Sequence, residues 1–240
     1  SAEVGGIVGL DYGPISSSSS SAAVTGKSDA YVGGIMGGGD NANANLTDVT
    51  ASGSVTDNFY DAEVGGLAGY SYGSIDSSSA TGDISAKGYV SYSGGLVGYF
   101  DGDHIKKSFA TGNVAGGSDD YAGGLGGYVQ ANVVANVHAT GNVTSGDEES
   151  VGGLIGYADV TTIVNTYATG NVTGGAESDV GGLIGDNEGG TVSKSHATGS
   201  VLAAGGESYA GGLMGYNDGG DVTNTYATGD VTAPGSDNEV

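Results

Sequence analysis

Aliphatic residues recur along the chain in three columns that are separated by polar, glycine-rich segments. The first column follows a Gly-Gly pair and consists of Ile7, Ile35, Leu67, Leu96, Leu125, Leu154, Leu183 and Leu213. The second consists of Ile15, Leu46, Ile75, Ile105, Val134, Ile163, Val192 and Val222, and the third of Val24, Val55, Ile84, Val114, Val143, Val172, Val201 and Val231. The segments are β-branched and alternating, and glycine inside a helix would cost about 1 kcal/mol per residue. The pattern therefore predicts an all-β protein of short strands joined by glycine turns.

The columns belong to a sequence repeat of about 29 residues. Gly-Gly pairs fall at 5–6, 33–34, 65–66, 94–95, 123–124, 152–153, 181–182 and 211–212. One coil cannot bury its own aliphatic face, whereas stacked coils pair their backbones at about 4.8 Å spacing. We predict one domain, residues 1–240, folded as a parallel β-solenoid of eight coils that start near residues 4, 32, 64, 93, 122, 151, 180 and 210. Three aliphatic columns predict a three-sided coil, and eight coils would make a rod about 38 Å long.

Composition and charge exclude several classes of function. The chain has 51 glycines, no cysteine, and a formal net charge of −23 with only five lysines and no arginine. Nucleic-acid binding requires a basic surface, which this sequence lacks. No stretch approaches the roughly 18 to 20 apolar residues that span a bilayer, so we expect no membrane insertion. The absence of cysteine excludes a disulfide scaffold and cysteine-ligated zinc.

The repeat resembles a known motif. The segments VGGLIGY, VGGLIGD and AGGLMGY, each followed by an ATG-x-V strand, resemble the GLUG repeat of bacterial and archaeal surface proteins. The resemblance covers nearly the whole chain and is clearest from Val64 onward. The first two copies depart from it, since Ser18 to Ser21 replace the aromatic-Ala-Thr segment and Gly38 stands where tyrosine recurs. The resemblance implies an exported, adhesin-like protein at the cell surface and carries no catalytic motif.

Polar residues beside the third column form a candidate ligand face. Alternation points Ala168 and Val172 inward, so Thr169, Asn171 and Thr173 should point outward and stack into ladders. Such a face could bind a glycan or ice, while threonine also suits any exposed strand and asparagine ladders stabilise themselves. Leu202 and Ala115 interrupt the ladder, and Asp83 and Asp230 add charge to it. The candidate residues are Thr111, Asn113, Thr140, Asn142, Thr144, Thr169, Asn171, Thr173, Thr198 and Thr228.

An aromatic column precedes the small alanine of each coil. Its members are Phe109, His138, Tyr167, His196 and Tyr226, and their parity places them outside the coil. Exposed rings could contact a sugar or a neighbouring rod, although stacking of the rings on one another also explains the column. His138 and His196 are therefore interpreted as substitutes for tyrosine and not as metal ligands.

Acidic turns give a candidate calcium site. Stacking would bring carboxylates of adjacent coils together, and their repulsion favours a bound cation. Calcium takes six to eight oxygen ligands from flexible loops, although no turn here has a full EF-hand or nonapeptide pattern, and solvated surface charge is the alternative. The candidate ligands are Asp101, Asp103, Asp147, Glu149, Glu177 and Asp179.

Three functions remain after these exclusions. The first is an extracellular structural or adhesive protein that forms a surface stalk or a head-to-tail fibre. Its partners would be itself, or further repeats of the same chain, because Glu3-Val4 and Glu239-Val240 occupy the same phase of the repeat. The second is a glycan- or ice-binding module that uses the threonine and asparagine ladder. The third, a hydrolase or lyase, is disfavoured because the chain has no nucleophile elbow, phosphate loop or histidine-metal spacing, so we expect no enzyme.

Overall fold

The chain folds as a stack of parallel coils in four sheets, as shown by a computed structural model that describes residues 1–27 and 29–240. Every strand pair within these residues is parallel and joins equivalent positions of adjacent coils; Val4 pairs with Val32, for example, and Val32 with Val64. The prediction of an all-β parallel β-solenoid with a repeat of about 29 residues is confirmed. Main-chain pairing between coils therefore replaces the large core of an ordinary domain.

The first two sheets are formed by the part of each coil that runs up to and includes the second aliphatic column. Sheet A consists of Ala2–Gly5, Ala30–Gly33, Glu63–Gly65, Tyr92–Gly94, Tyr121–Gly123, Ser150–Gly152, Asp179–Gly181 and Tyr209–Gly211. Sheet B consists of Val8–Asp11, Ile15–Ser16, Met36–Gly39, Leu46–Thr47, Ala68–Ser71, Ile75–Asp76, Val97–Lys106, Gly126–Ala135, Ile155–Val164, Ile184–Asn187, Thr191–Ser193, Met214–Asn217 and Asp221–Thr223.

The other two sheets complete each coil. Sheet C consists of Ser19–Ser20, Thr50–Ala51, Ser79–Ala80, Phe109–Ala110, His138–Ala139, Tyr167–Ala168, His196–Ala197 and Tyr226–Ala227. Sheet D consists of Val24–Thr25, Val55–Thr56, Ile84–Ser85, Val114–Ala115, Val143–Thr144, Val172–Gly174, Val201–Ala203 and Val231–Thr232.

The three-sided cross-section predicted from the columns is wrong, because the structure has four sheets. The predicted third wall divides into sheets C and D at the glycine of the Thr-Gly step. A Cβ atom on Gly141 would lie 1.9 Å from the carbonyl oxygen of Gly112 in the preceding coil. Only glycine allows such close main-chain approach, so the strand bends here and starts a new sheet.

The interior is dry and divides into two aliphatic clusters. The first, between sheets B and C, contains the first two columns and the fully buried Phe100. The second, between sheets D and A, contains the third column and the small residues of sheet A. Both clusters run along the stack, so each coil buries its side chains against the coils above and below it.

Glycine also lets sheet B fold back against the outer surface of sheet A. A Cβ atom on Gly127 would lie 2.5 Å from the carbonyl oxygen of Tyr121 and 2.8 Å from both the carbonyl oxygen of Gly98 and the backbone nitrogen of Ser93. All three atoms belong to backbone that is held in sheet pairing and cannot move aside. The two sheets therefore meet at a narrow notch on the outside of the coil.

We expect Gly127→Ala to destabilise the protein by about 1–3 kcal/mol, because overpacking against fixed backbone forces the sheets apart. Gly126→Ala is the matched control. Its added methyl would meet Cγ2 of Val129, which is the end of a side chain and can rotate away. Thermal and denaturant unfolding of both variants measures the difference, and equal stability of the two would contradict this account of the notch.

Two corners of the coil hold residues in the left-handed backbone conformation. One lies between sheets B and C and the other between sheets D and A, and the residues there have φ between 46° and 61°. Asparagine and aspartate tolerate this conformation best among non-glycine residues, and a β-branched residue is strained in it. Val90, at φ 54°, occupies the column in which other coils have Asp61, Asp119 and Glu148.

Replacing Val90 with asparagine should relieve this strain and stabilise the protein by about 1 kcal/mol, which corresponds to a rise of about 2–4 °C in melting temperature. Val90 is half exposed, so little packing is lost. Val133→Asn, on a strand of sheet B, provides the comparison at a position with ordinary backbone angles. A melting temperature that is unchanged or lower in Val90→Asn would refute the assignment of strain.

Candidate functional site

The notch between sheets A and B is lined by two columns rich in tyrosine and acidic residues. We call this notch the tyrosine groove. Sheet A contributes one column to its outer surface and sheet B contributes another, seven residues further along each coil. The sheet A column is Tyr31, Glu63, Tyr92, Tyr121, Ser150, Asp179 and Tyr209, and the facing column is Gly38, Tyr70, Tyr99, Tyr128, Tyr157, Asp186 and Tyr216.

The rings in the middle of the groove form a closed stack. The rings of Tyr99 and Tyr128 are 4.9 Å apart and within 6° of parallel, and those of Tyr128 and Tyr157 are 5.2 Å apart and within 9°. Tyr121 stacks on Tyr157 from the other column at 5.0 Å. Burial raises the pKa of these tyrosines, that of Tyr99 to about 12. The rings therefore stay neutral and fill the groove.

The stack opens at the second and third coils. Tyr31, Tyr70, Tyr72, Tyr99, Glu63 and Asp40 line a cavity of about 220 Å³ there. Glu63 replaces the tyrosine of its column, and burial raises the pKa of its carboxyl to about 8. This cavity combines tyrosine rings with the carboxylates of Glu63 and Asp40.

The threonines and asparagines predicted as a ligand face point outward but do not form one flat surface. Thr140, Thr169 and Thr198 are exposed, as are Asn113, Asn142 and Asn171. These residues lie on either side of the glycine bend between sheets C and D, while Thr144 and Thr173 lie on sheet D itself. The predicted face is therefore a rounded corner with a sheet beside it.

The asparagines at this corner are hydrogen-bonded to one another's backbone. The Asn142 backbone N–H donates to Oδ1 of Asn113 at 3.0 Å, and the Asn171 N–H donates to Oδ1 of Asn142 at 2.9 Å. The Ser200 N–H donates to Oδ1 of Asn171 at 3.0 Å, and the ladder begins with Oδ1 of Asp83. These side chains satisfy backbone donors where the strand bends, which stabilises the corner.

The aromatic column on sheet C is a continuous stack, as its parity predicted. The rings of Phe109, His138, Tyr167, His196 and Tyr226 are 4.6–5.2 Å apart and within 10° of parallel. Burial lowers the pKa of His138, so its ring is neutral and packs as an aromatic ring would. The contacts support the interpretation of these histidines as tyrosine substitutes.

The six carboxylates predicted as calcium ligands do not come together. Asp101 and Asp103 lie on the strand Val97–Lys106 and not in a turn. Asp103 accepts hydrogen bonds from Asn132 and His104, and these bonds lower its pKa. Asp147 and Glu177 lie at the corner between sheets D and A, and Asp179 lies in the tyrosine groove, where burial and Asp186 raise its pKa to about 6. No group of three or more metal-binding side chains occurs in residues 1–27 and 29–240.

Glu149 is inside the stack, beside a second carboxyl that the sequence analysis did not single out. Asp120 and Glu149 occupy the same interior column of adjacent coils, where other coils have alanine or serine. Oδ2 of Asp120 accepts from the Ser93 hydroxyl at 3.0 Å and from the Gly117 N–H at 3.2 Å, and Ser145 donates to Oε2 of Glu149. The second oxygen of each carboxyl is buried without a partner in the described residues. Burial raises the pKa of both groups, that of Glu149 to about 9.

These raised pKa values predict that stability falls as pH rises. Between pH of about 4.5 and 9 the native protein keeps a proton on Glu149 that the unfolded chain releases, so ionisation favours unfolding. Glu149→Gln keeps an acceptor for Ser145 and removes the ionisation. We expect it to raise the melting temperature at pH 8 by at least about 2–4 °C and to change it little at pH 4.5.

Glu177→Gln, which removes one exposed charge from the same corner, controls for the relief of general repulsion. If both variants flatten the pH dependence equally, burial of Glu149 is not its cause.

The tyrosine groove was missed by the sequence analysis because its two columns belong to different sheets. The signal was present in the sequence, because many coils have two tyrosines or acidic residues seven positions apart, as in Tyr92 and Tyr99 or Tyr121 and Tyr128. Nothing in the sequence shows that the chain folds back between them, since that depends on the glycine contacts of the notch.

Comparison with known proteins gives one sequence motif, matched in four of the repeats. The chain matches the family model described as the GLUG motif over residues 61–85, 147–173, 176–202 and 206–232. No curated protein and no solved structure matches it. In the described part of the chain, no helix has the length and hydropathy to cross a membrane.

Each matched segment contains one passage through the Gly-Gly bend, sheet B, sheet C and sheet D, so the motif corresponds to the coil itself. The match agrees with the resemblance seen in the sequence, and the chain carries the GLUG motif in four of its repeats.

Proposed function

We propose that this protein is an extracellular structural and adhesive protein, in which further coils stack on the ends of the solenoid to give a rigid stalk or fibre. Its partners are other copies of itself or further repeats of the same kind, and its role is not catalytic. The observation that carries the proposal is the exposure of the interior at both ends of the stack. The resemblance to exported surface proteins supports the extracellular location.

The end coils present the same residues that other coils bury. The side chain of Ile7 is 48% exposed, whereas Ile35, its partner in the next coil, is fully buried. At the other end Val222 is 41% exposed, whereas Val192 in the preceding coil is 1% exposed. Each end therefore exposes an aliphatic side chain, from the first column at one end and from the second at the other, that an additional coil could cover.

The backbone at the ends also favours continuation of the stack. Parallel sheets have one strand at each end with an unpaired side, which is a template for another strand. The segment after the last full coil already uses this template, because Glu239 pairs in parallel with Tyr209 and accepts a hydrogen bond from the Ala210 N–H at 2.8 Å. Added coils would continue the same register.

The charge of the protein favours association through the ends over association through the flanks. A net charge of −23 makes lateral contacts between rods repulsive, and salt weakens that repulsion. The ends expose aliphatic side chains and unpaired backbone, and burying and pairing these groups stabilises a contact against the repulsion. A non-closing, head-to-tail contact of this kind produces filaments.

The experiment measures self-association of the 240-residue protein by sedimentation velocity and negative-stain electron microscopy. We expect concentration-dependent rods whose lengths are multiples of about 38 Å, the length of eight coils at the parallel-strand spacing. Ile7→Lys places a charge in the end contact and should shift the association constant by about tenfold or more toward monomer.

Val90→Lys is the matched control, because Val90 is 50% exposed but lies on the flank, and lysine is accommodated in the same backbone conformation at Lys107 and Lys194. Circular dichroism checks that both variants keep the solenoid. Monomers at all concentrations, or equal effects of the two substitutions, would rule out end-to-end stacking.

A further inference from the structure

The opening in the tyrosine groove at the second and third coils has two causes that can be read from the residues. In the sheet A column, Glu63 stands between Tyr31 and Tyr92. In the sheet B column, Gly38 stands where the next coil has Tyr70, and a Cβ atom on Gly38 would lie 2.2 Å from the ring of Tyr70. The ring of Tyr70 therefore extends over the space above Gly38, which a tyrosine at that position would fill.

The rings around this opening are turned relative to those in the closed part of the groove. The planes of Tyr31 and Tyr70 meet at 77° with centroids 4.7 Å apart, and those of Tyr70 and Tyr72 meet at 67° with centroids 5.7 Å apart. In each perpendicular pair the edge of one ring packs against a face of the other, so the rings do not close the groove as the parallel stack does. The tyrosines, together with Glu63 and Asp40, line one space of about 220 Å³.

The carboxyl of Glu63 in this space lacks a compensating partner. Its side chain is half-buried, and no hydrogen bond from it occurs among residues 1–27 and 29–240. Asp40 lines the same cavity, so the charge of the lining is negative when these groups are ionised. A carboxylate that is desolvated and unpaired favours the arrival of a cation.

We propose that this cavity is a binding site for a methylated or quaternary ammonium group, held against the tyrosine rings that line it and neutralised by Glu63. The negative faces of aromatic rings attract a cation within about 6 Å of the ring centre. Each methyl group on an ammonium replaces an N–H donor, so a methylated ammonium gives up water more readily than a primary one, and a quaternary ammonium has no N–H hydrogen bonds to lose. The site lies on the flank of the solenoid, so it is independent of stacking at the ends.

Binding should strengthen as pH rises, because the proton on Glu63 competes with the ligand. Burial raises the pKa of this carboxyl to about 8, so it is mostly protonated below that pH and mostly ionised above it. The other titratable groups that face it are Asp40, Tyr31, Tyr70, Tyr72, Tyr92 and Tyr99.

The test titrates the whole protein with choline at pH 8.5, using calorimetry and the proton NMR signal of the N-methyl groups. Ring currents from the surrounding tyrosines should move that signal upfield. 3,3-Dimethylbutan-1-ol, the neutral isostere of choline, should bind at least about tenfold more weakly, because it lacks the charge. Nα-acetyl-lysine amide, whose side chain ends in a primary ammonium, serves as the third ligand and should also bind more weakly than choline.

Two variants remove the site in different ways. Glu63→Gln removes the charge, and Gly38→Tyr extends the closed stack into the cavity as in the later coils; each should weaken choline binding by about tenfold or more. Asp159→Asn is the matched control, since Asp159 is an exposed carboxylate beside Tyr128 in the closed part of the groove. It should leave binding unchanged.

Equal binding of choline and its neutral isostere would overturn the proposal, as would an undiminished affinity in both Glu63→Gln and Gly38→Tyr. Absence of any choline binding at pH 8.5 would also overturn it. A loss of affinity equal to that of Asp159→Asn would indicate only a general attraction to an acidic protein.

Discussion

The structure depends on main-chain pairing of equivalent residues in successive coils. Because every strand pairs in parallel and in register, each side chain lies directly above its counterpart, and any property of one position becomes a column along the rod. A column of leucine becomes a core, a column of asparagine becomes a ladder of hydrogen bonds, and a column of tyrosine becomes a stack. The coil needs no large interior, since neighbours bury what one coil cannot.

Glycine sets the shape of the cross-section under this constraint. At the Gly-Gly bend, in the notch and at the Thr-Gly bend, a Cβ atom would lie within 3 Å of backbone from the same or a neighbouring coil. Such contacts allow sheet B to fold back on sheet A and divide the predicted third wall into two sheets. The 51 glycines are thus explained largely by close approach of backbone, and within residues 1–27 and 29–240 only Gly189, Gly190 and Gly219 among them have positive φ.

Stacking makes acidic residues costly in some places and tolerable in others. Exposed carboxylates at the corners repel one another, as the raised pKa of Glu148 beside Asp119 shows, but water screens them. Asp120 and Glu149, inside the stack, and Glu63, in the groove, are removed from water and hold protons to much higher pH.

The sequence by itself determined the repeat length, the all-β class, the parallel stack and the three aliphatic columns, because a periodic pattern can be recognised without knowing the conformation of the turns. It also indicated that Thr169 and Asn171 point outward, since strand parity is a local property. Only the tertiary structure decided the number of sheets, the use of Asn142 as a backbone acceptor, the separation of Asp101 from Asp147, and the burial of Glu149. It alone brought Glu63 to Tyr70, because the approach of two sheets is fixed by backbone contacts between coils that no single repeat contains.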